Sequence, residues 1–230
     1  MARQLPLGIR LDNGTTFTGF WAGPNAEVHQ HLLEYLTHGR SGVIYLWGDS
    51  GVGKTHLLQA AGHATAEQAR TIAYLPLQKK HQFTPEALHG WETLDVVCVD
   101  DIENITGDAQ WETAVFNLFN AMRENKKLLI VTASSAPAGL DFKLADLRSR
   151  LGWDLVLQLK PLNDDGKIAA LKLRAEQRGL RLPKQTALYL LNRYQRDMHS
   201  LIELFDELDK ASLAEQRKLT IPFVKSVLTN

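Results

Sequence analysis

Gly48-Asp49-Ser50-Gly51-Val52-Gly53-Lys54-Thr55 matches the spacing G-x-x-x-x-G-K-[ST] in full. The chemistry is phosphate binding. The glycines let backbone N–H groups turn inward on phosphate oxygens, Lys54 supplies a cation for the β and γ phosphates, and the Thr55 hydroxyl can ligate Mg²⁺. A second acidic site follows: the apolar run Val96-Val97-Cys98-Val99 ends in Asp100 and Asp101. Behind a phosphate loop, Asp100 is expected to hold Mg²⁺ through water, and Asp101 to face the water that attacks a γ phosphate. Thr132, Ser134 and Ser135 end a later apolar run, where two readings stay open: one of them orients that water or touches the phosphate, or they are an ordinary loop start. Arg148 and Arg150 stand at i and i+2, on different faces of a helix. One can pair locally while the other reaches a nucleotide held by a neighbouring molecule.

These groups need a scaffold that delivers strand ends and a helix start to one place. Val43–Trp47 reads as a strand directly before the Gly-rich loop, and Thr55 to about Gln68 as a helix after it. Thr71–Leu75, Asp95–Val99, Leu128–Thr132 and Leu155–Leu159 read as further strands. Between them, Trp111, Ala114, Val115, Leu118, Phe119 and Met122 repeat at helical spacing. Alternating strands and helices predict an α/β fold with a parallel sheet. After Pro161 the strands stop, and helical patterns run over about 163–178, 184–194, 198–214 and 221–228. The expected organisation is a tail over 1–16, an α/β nucleotide-binding domain over 17–161 and an all-helical domain over 162–230.

Composition narrows the function classes. The 230 residues carry 26 Lys+Arg and 26 Asp+Glu, so the net charge is zero. A dedicated nucleic-acid binder needs a cation for each phosphate contact, and this balance disfavours one. A single cysteine, Cys98, excludes an internal disulfide and a cysteine-built zinc site. No apolar run reaches the ~18–20 residues of a membrane span, and the N-terminus has no signal-peptide pattern, so a cytoplasmic protein is expected.

The phosphate loop, the Asp100-Asp101 pair, the segment Arg148-Ser149-Arg150-Leu151-Gly152-Trp153, the helical lid and the opening segment Phe17-Thr18-Gly19-Phe20-Trp21 together resemble the AAA+ module of the bacterial replication initiator DnaA. The lid is expected to end the chain, with no counterpart of the initiator's DNA-binding domain. In that it is similar to the Hda family, the regulatory inactivators of the initiator. The resemblance implies an AAA+ P-loop domain with a helical lid, bound ADP or ATP with Mg²⁺, and Arg150 acting in trans as the family's arginine finger. Among the implied nucleotide contacts are Ser134 and His199. The implied partners are the polymerase sliding clamp and the initiator DnaA, without sequence-specific DNA binding or a membrane, and with self-association open. Gln4-Leu5-Pro6-Leu7-Gly8-Ile9 looks like a clamp-binding peptide: Leu7 and Ile9 would fill an apolar pocket, and Gln4, beside Leu5, would bond at its rim.

Three positions depart from the pattern. Most AAA+ proteins have Asp-Glu where this chain has Asp100-Asp101, although the initiator is similar to it there. The initiator has Asp where this chain has Ser134. The nucleotide-sensing Arg of the lid is replaced by His199, with Arg196 one turn earlier as an alternative. These departures predict weak self-hydrolysis and retained nucleotide binding. The competing function is a helicase-loader or transposition-type AAA+ ATPase, or a small-molecule P-loop kinase. The neutral charge and the clamp-like tail disfavour the loader, and the helical C-terminal domain disfavours the kinase.

Overall fold

The computed structural model describes residues 15–228. They form two compact units, one of residues 15–17 and 25–160 and one of residues 18–24 and 161–228.

The first unit is built on a five-stranded parallel sheet: β1 (Gly42–Trp47), β2 (Ile72–Pro76), β3 (Val96–Asp100), β4 (Leu128–Ala133) and β5 (Leu155–Gln158). The spatial order is β2-β3-β4-β1-β5. β3 and β4 lie in the middle, and every residue of both is buried, which is why they read as unbroken apolar runs. β5 is an edge strand, and its side chains alternate between partly buried and exposed. Register puts Val96 opposite Leu128 and Gly42 opposite the same residue on the other side. β1, β3 and β4 therefore end at similar heights, and their following loops share one edge of the sheet.

Helices cover both faces. Val43, Tyr45, Val97, Val99, Leu129 and Val131 pack with Trp111, Val115, Phe119 and Met122 of α3 (Ala109–Glu124) and with Leu147 and Leu151 of α4 (Ala145–Leu151). On the other face, α2 (Lys54–Glu67) packs on β2, β3 and β4, with α1 (Ala26–Thr37) beside it. Cys98 points to this side, where its thiol faces the Leu58 carbonyl at 3.9 Å. Full burial pushes its pKa up, so it behaves as an inert small apolar group. Helix α1 is not among the sequence-based expectations. Its buried stripe is Val28, Leu32 and Leu36, spaced four residues apart.

The second unit is helical: α5 (Asp164–Gln177), α6 (Lys184–Arg193), α7 (Met198–Glu215) and α8 (Ile221–Leu228). Asn163 and Asp197 cap α5 and α7 through side-chain oxygens that accept from Gly166 and Ser200 N–H groups, each at 2.9 Å. The core holds Leu171, Leu190, Leu201, Phe205, Leu208 and Phe223. Arg174 bonds both oxygens of Asp206, at 3.0 and 2.8 Å, which ties α5 to α7 with a bidentate pair. Among the described residues no helix is long and apolar enough to cross a membrane.

Candidate functional site

The loop after β1 has the shape its sequence predicts. Gly48 has φ +157, and a Cβ there would lie 2.5 Å from the Leu159 carbonyl oxygen, so only glycine fits beside β5. Gly53 takes φ +100 immediately before α2 and has no side chain to cap the helix. The first-turn N–H groups of α2 are therefore left to an outside acceptor, at the end where the helix dipole favours an anion. Lys54 is only 7% exposed. Its ammonium donates to the carbonyls of Gly48 at 2.7 Å and Asp49 at 3.0 Å, so the cation sits inside its own loop. Asp49, Ser50 and Thr55 are exposed on that loop, while Val52 is buried and anchors it.

At the end of β3 the two aspartates have different roles. Asp100 is buried, and its carboxylate accepts from the Thr132 hydroxyl of β4 and, at 2.6 Å, from the Tyr74 hydroxyl of β2. Three strands thus fix one carboxylate. Burial and the Asp100 charge hold the Tyr74 phenol well above its ordinary pKa, so it remains a donor. Asp101 is in the left-handed region (φ 56, ψ 59). Its N–H donates to Thr132 Oγ1 at 2.9 Å, and its carboxylate accepts from Gln78 at 2.8 Å. Burial, with the charges of Asp100 and Glu103, raises its pKa to about 6, against the opposing pull of Lys54.

Of the three hydroxyl residues at the end of β4, Thr132 is the one woven into this network. The side chain of Ser134 is exposed, and its N–H donates to Glu103 at 3.0 Å. Ser135 contributes its carbonyl, which accepts from Tyr45 at 2.8 Å. Glu103 is a residue that motif reasoning passes over. It lies in the short 3-10 turn Ile102–Ile105, and its second carboxylate oxygen, Oε2, is buried without a hydrogen-bond partner among the described residues. Tyr74 and Gln78 were equally invisible, because their roles depend on which strands become neighbours. Among the described residues, no group of three or more His, Cys, Asp or Glu is placed to hold a metal. The donors that the motifs name are the exposed Thr55 hydroxyl and the Asp100 carboxylate. Both Asp100 oxygens already accept, from Thr132 and Tyr74, so that Asp100 would reach a cation only through water. That set suits Mg²⁺ completed by phosphate oxygens and water.

The two arginines of α4 have different surroundings, as their i, i+2 spacing predicts. Arg148 is exposed. Arg150 is partly buried, its guanidinium carbon 4.5 Å from the Phe116 ring centre and 5.3 Å from that of Trp153. The base of α4 is held by Glu112, a carboxylate with no exposed surface. It accepts from the N–H groups of Gly107 at 2.7 Å, Lys143 at 3.2 Å and Leu144 at 2.8 Å. Nothing in the sequence distinguishes Glu112 from a solvated helix residue, since its acceptors' partners come from two separate loops.

In the helical unit, His199 is the second residue of α7, with its side chain 75% exposed and Nε2 3.2 Å from Glu203. Arg196, the alternative cation, is engaged within the same unit: it lies 3.7 Å from Asp164 and donates to Asn192 at 3.2 Å. Gln4, Leu5, Leu7 and Ile9 lie outside the described residues.

Comparisons with known proteins agree with this geometry. Residues 11–158 match the model of the bacterial DnaA ATPase domain, and residues 164–228 match that of the Hda lid domain. Domain III of the replication initiation protein DnaA from Thermotoga maritima is similar over 96% of this chain and 98% of its own, with TM-score 0.80 and 21% identity. AMPPCP-bound DnaA from Aquifex aeolicus is similar over 90% of this chain and 71% of its own, with TM-score 0.72 and 23% identity. The RuvB Holliday junction branch migration motor of Thermotoga maritima is more distant, at TM-score 0.65 and 16% identity over 93% of this chain and 73% of its own. With the DnaA ATPase model spanning well over half of the sequence and the Hda lid model following it, the chain belongs to the DnaA-like AAA+ family.

Proposed function

We propose that this protein is a nucleotide-bound regulator of replication initiation. It binds the polymerase sliding clamp through Gln4, Leu5, Leu7 and Ile9 and stimulates ATP hydrolysis by the initiator DnaA, inactivating it. The observation that carries this reading is Arg150, a guanidinium displayed on α4 of a DnaA-like module whose lid is of the Hda type. In this reading Arg150 approaches ATP held by the initiator and stabilises the charge that develops as the γ phosphate leaves. Such fingers are worth roughly 10³–10⁵ in rate.

The phosphate loop supports an adenine nucleotide, ADP or ATP, as the protein's own ligand, and solved DnaA structures contain AMPPCP. When bound, the nucleotide supplies phosphate charge to the loop. Lys54 and the first turn of α2 bind that charge, and Thr55 and Asp100 would hold the accompanying Mg²⁺. Asp101 would face the γ phosphate, with Gln78 and Thr132 fixing its direction. The altered positions Ser134 and His199 fit a protein that holds its nucleotide more than it hydrolyses it.

The test is ATP hydrolysis by DnaA on clamp-loaded DNA, with and without this protein. The unmodified protein should accelerate hydrolysis. Arg150→Ala should bind clamp and nucleotide normally and give no acceleration. Acceleration that survives Arg150→Ala would refute the mechanism or move the role to Arg148.

A further inference from the structure

An arginine that acts on another molecule's phosphate needs a fixed direction and a charge that its own chain does not neutralise. A carboxylate partner gives the first and removes the second. Arg150 has neither a carboxylate nor free rotation. Its guanidinium carbon lies 4.5 Å from the centre of the Phe116 ring and 5.3 Å from that of Trp153. Trp153 is fixed in turn, edge-on to Phe119 with centroids 6.4 Å apart and planes at 79°, and Arg123 lies 5.0 Å from its centroid. Among the described residues no ion pair involves Arg150, although Asp146 and Asp154 are four residues away on either side. The Asp154 carboxylate is turned inward to the N–H of Val43, at 2.9 Å. Ring faces restrain a guanidinium through its π surface and leave its in-plane N–H donors for other acceptors. Trp153 is also 54% exposed, a large apolar surface to leave in water without a use.

We propose that Phe116 and Trp153 are positioning residues for Arg150: their rings hold the guanidinium in the direction in which it meets the triphosphate of a neighbouring AAA+ module, with its charge uncompensated. This rests on the reading of Arg150 as a group acting in trans. The rings take no part in the chemistry; they set how much of the time Arg150 points correctly. A finger misplaced by about 1 Å loses on the order of 10²-fold in rate.

The experiment titrates the protein into DnaA hydrolysing ATP on clamp-loaded DNA and separates the maximal rate from the half-saturating concentration. Trp153→Ala and Phe116→Leu should each lower the maximal rate by about 10- to 100-fold, with the half-saturating concentration within about twofold of the unmodified value. Trp153→Phe, which keeps a ring, should restore most of the rate. Independently of activity, the Arg150 side-chain Nε–Hε resonance should carry a ring-current shift that collapses toward the free-arginine position in Trp153→Ala. If Arg150→Ala abolishes stimulation while Trp153→Ala and Phe116→Leu stimulate at the full rate, the positioning role is wrong and the trans-acting reading stands. If Arg150→Ala still stimulates, the trans-acting reading itself fails. A Trp153→Ala variant that only raises the half-saturating concentration would make Trp153 a partner contact, which also overturns the proposal.

Discussion

Asp101 carries its charge at a cost. It is half-buried, in the left-handed region, and in the field of Asp100 and Glu103, and its pKa stands at about 6 where an unfolded aspartate titrates near 3.9. Between those two values the folded chain binds more protons than the unfolded one. Stability from this group is therefore greatest below about pH 4 and falls as pH rises through about 6. Asp101→Asn keeps an acceptor for Gln78, tolerates positive φ and removes the charge. Thermal melting should show it more stable than the unmodified protein at pH 7.5, by about 1 kcal/mol after allowing for solvent screening of a partly exposed group. The gain should shrink toward pH 4, and an advantage of equal size at both pH values would contradict the assignment. His199 gives a second expectation at this scale. A neutral imidazole lacks the fixed cationic fork of arginine. His199→Arg should therefore raise the preference for ATP over ADP, read by calorimetric titration of both nucleotides. An unchanged ratio would remove His199 from nucleotide sensing.

Among the elements, α4 depends on a group that lies outside it. The Glu112 carboxylate on α3 accepts three backbone N–H groups, two of them from Lys143 and Leu144 at the entry to α4. Glu112→Ala removes the acceptor from three part-buried N–H groups, and the expected loss is about 1–3 kcal/mol of folding stability. Glu112→Gln keeps one carbonyl oxygen and should lose roughly half as much. Chemical denaturation of the two variants checks the order, and Glu112→Gln matching the unmodified protein would show that the carboxylate is not needed. The strands were legible because β3 and β4 are buried on both faces and so are apolar throughout. Helix α1 was passed over although Val28, Leu32 and Leu36 line one of its faces, because no motif residue lies on it to draw the reading there. The short 3-10 turn that carries Glu103 has no periodicity at all.

For the whole molecule, a ligand that binds only the folded chain stabilises it by mass action. ADP with Mg²⁺ at 100 times its Kd should add about 2.7 kcal/mol and raise the melting temperature accordingly. Lys54→Ala should abolish most of that rise, and a rise that persists would place the nucleotide elsewhere. Leu7→Ala with Ile9→Ala should weaken clamp binding and leave the ADP-induced rise intact, whereas unchanged clamp affinity would remove the tail from that role. The sequence by itself determined the α/β class, the phosphate loop and its lysine, the acidic strand end, the two-arginine segment and the switch to helices after Pro161. Each of these is a local pattern: a glycine spacing, an apolar period, a pair of like charges. What only the tertiary structure decided is which residues complete those patterns from afar. Tyr74 and Thr132 hold Asp100 because β2 and β4 flank β3. Glu112 fastens α4 because two loops fold over α3. Phe116, 34 residues before Arg150, meets its guanidinium because α3 and α4 pack on the same face of the sheet. Hydrogen bonds and ring contacts reach only a few ångströms, and chain order does not say which distant residues the fold will bring within that range.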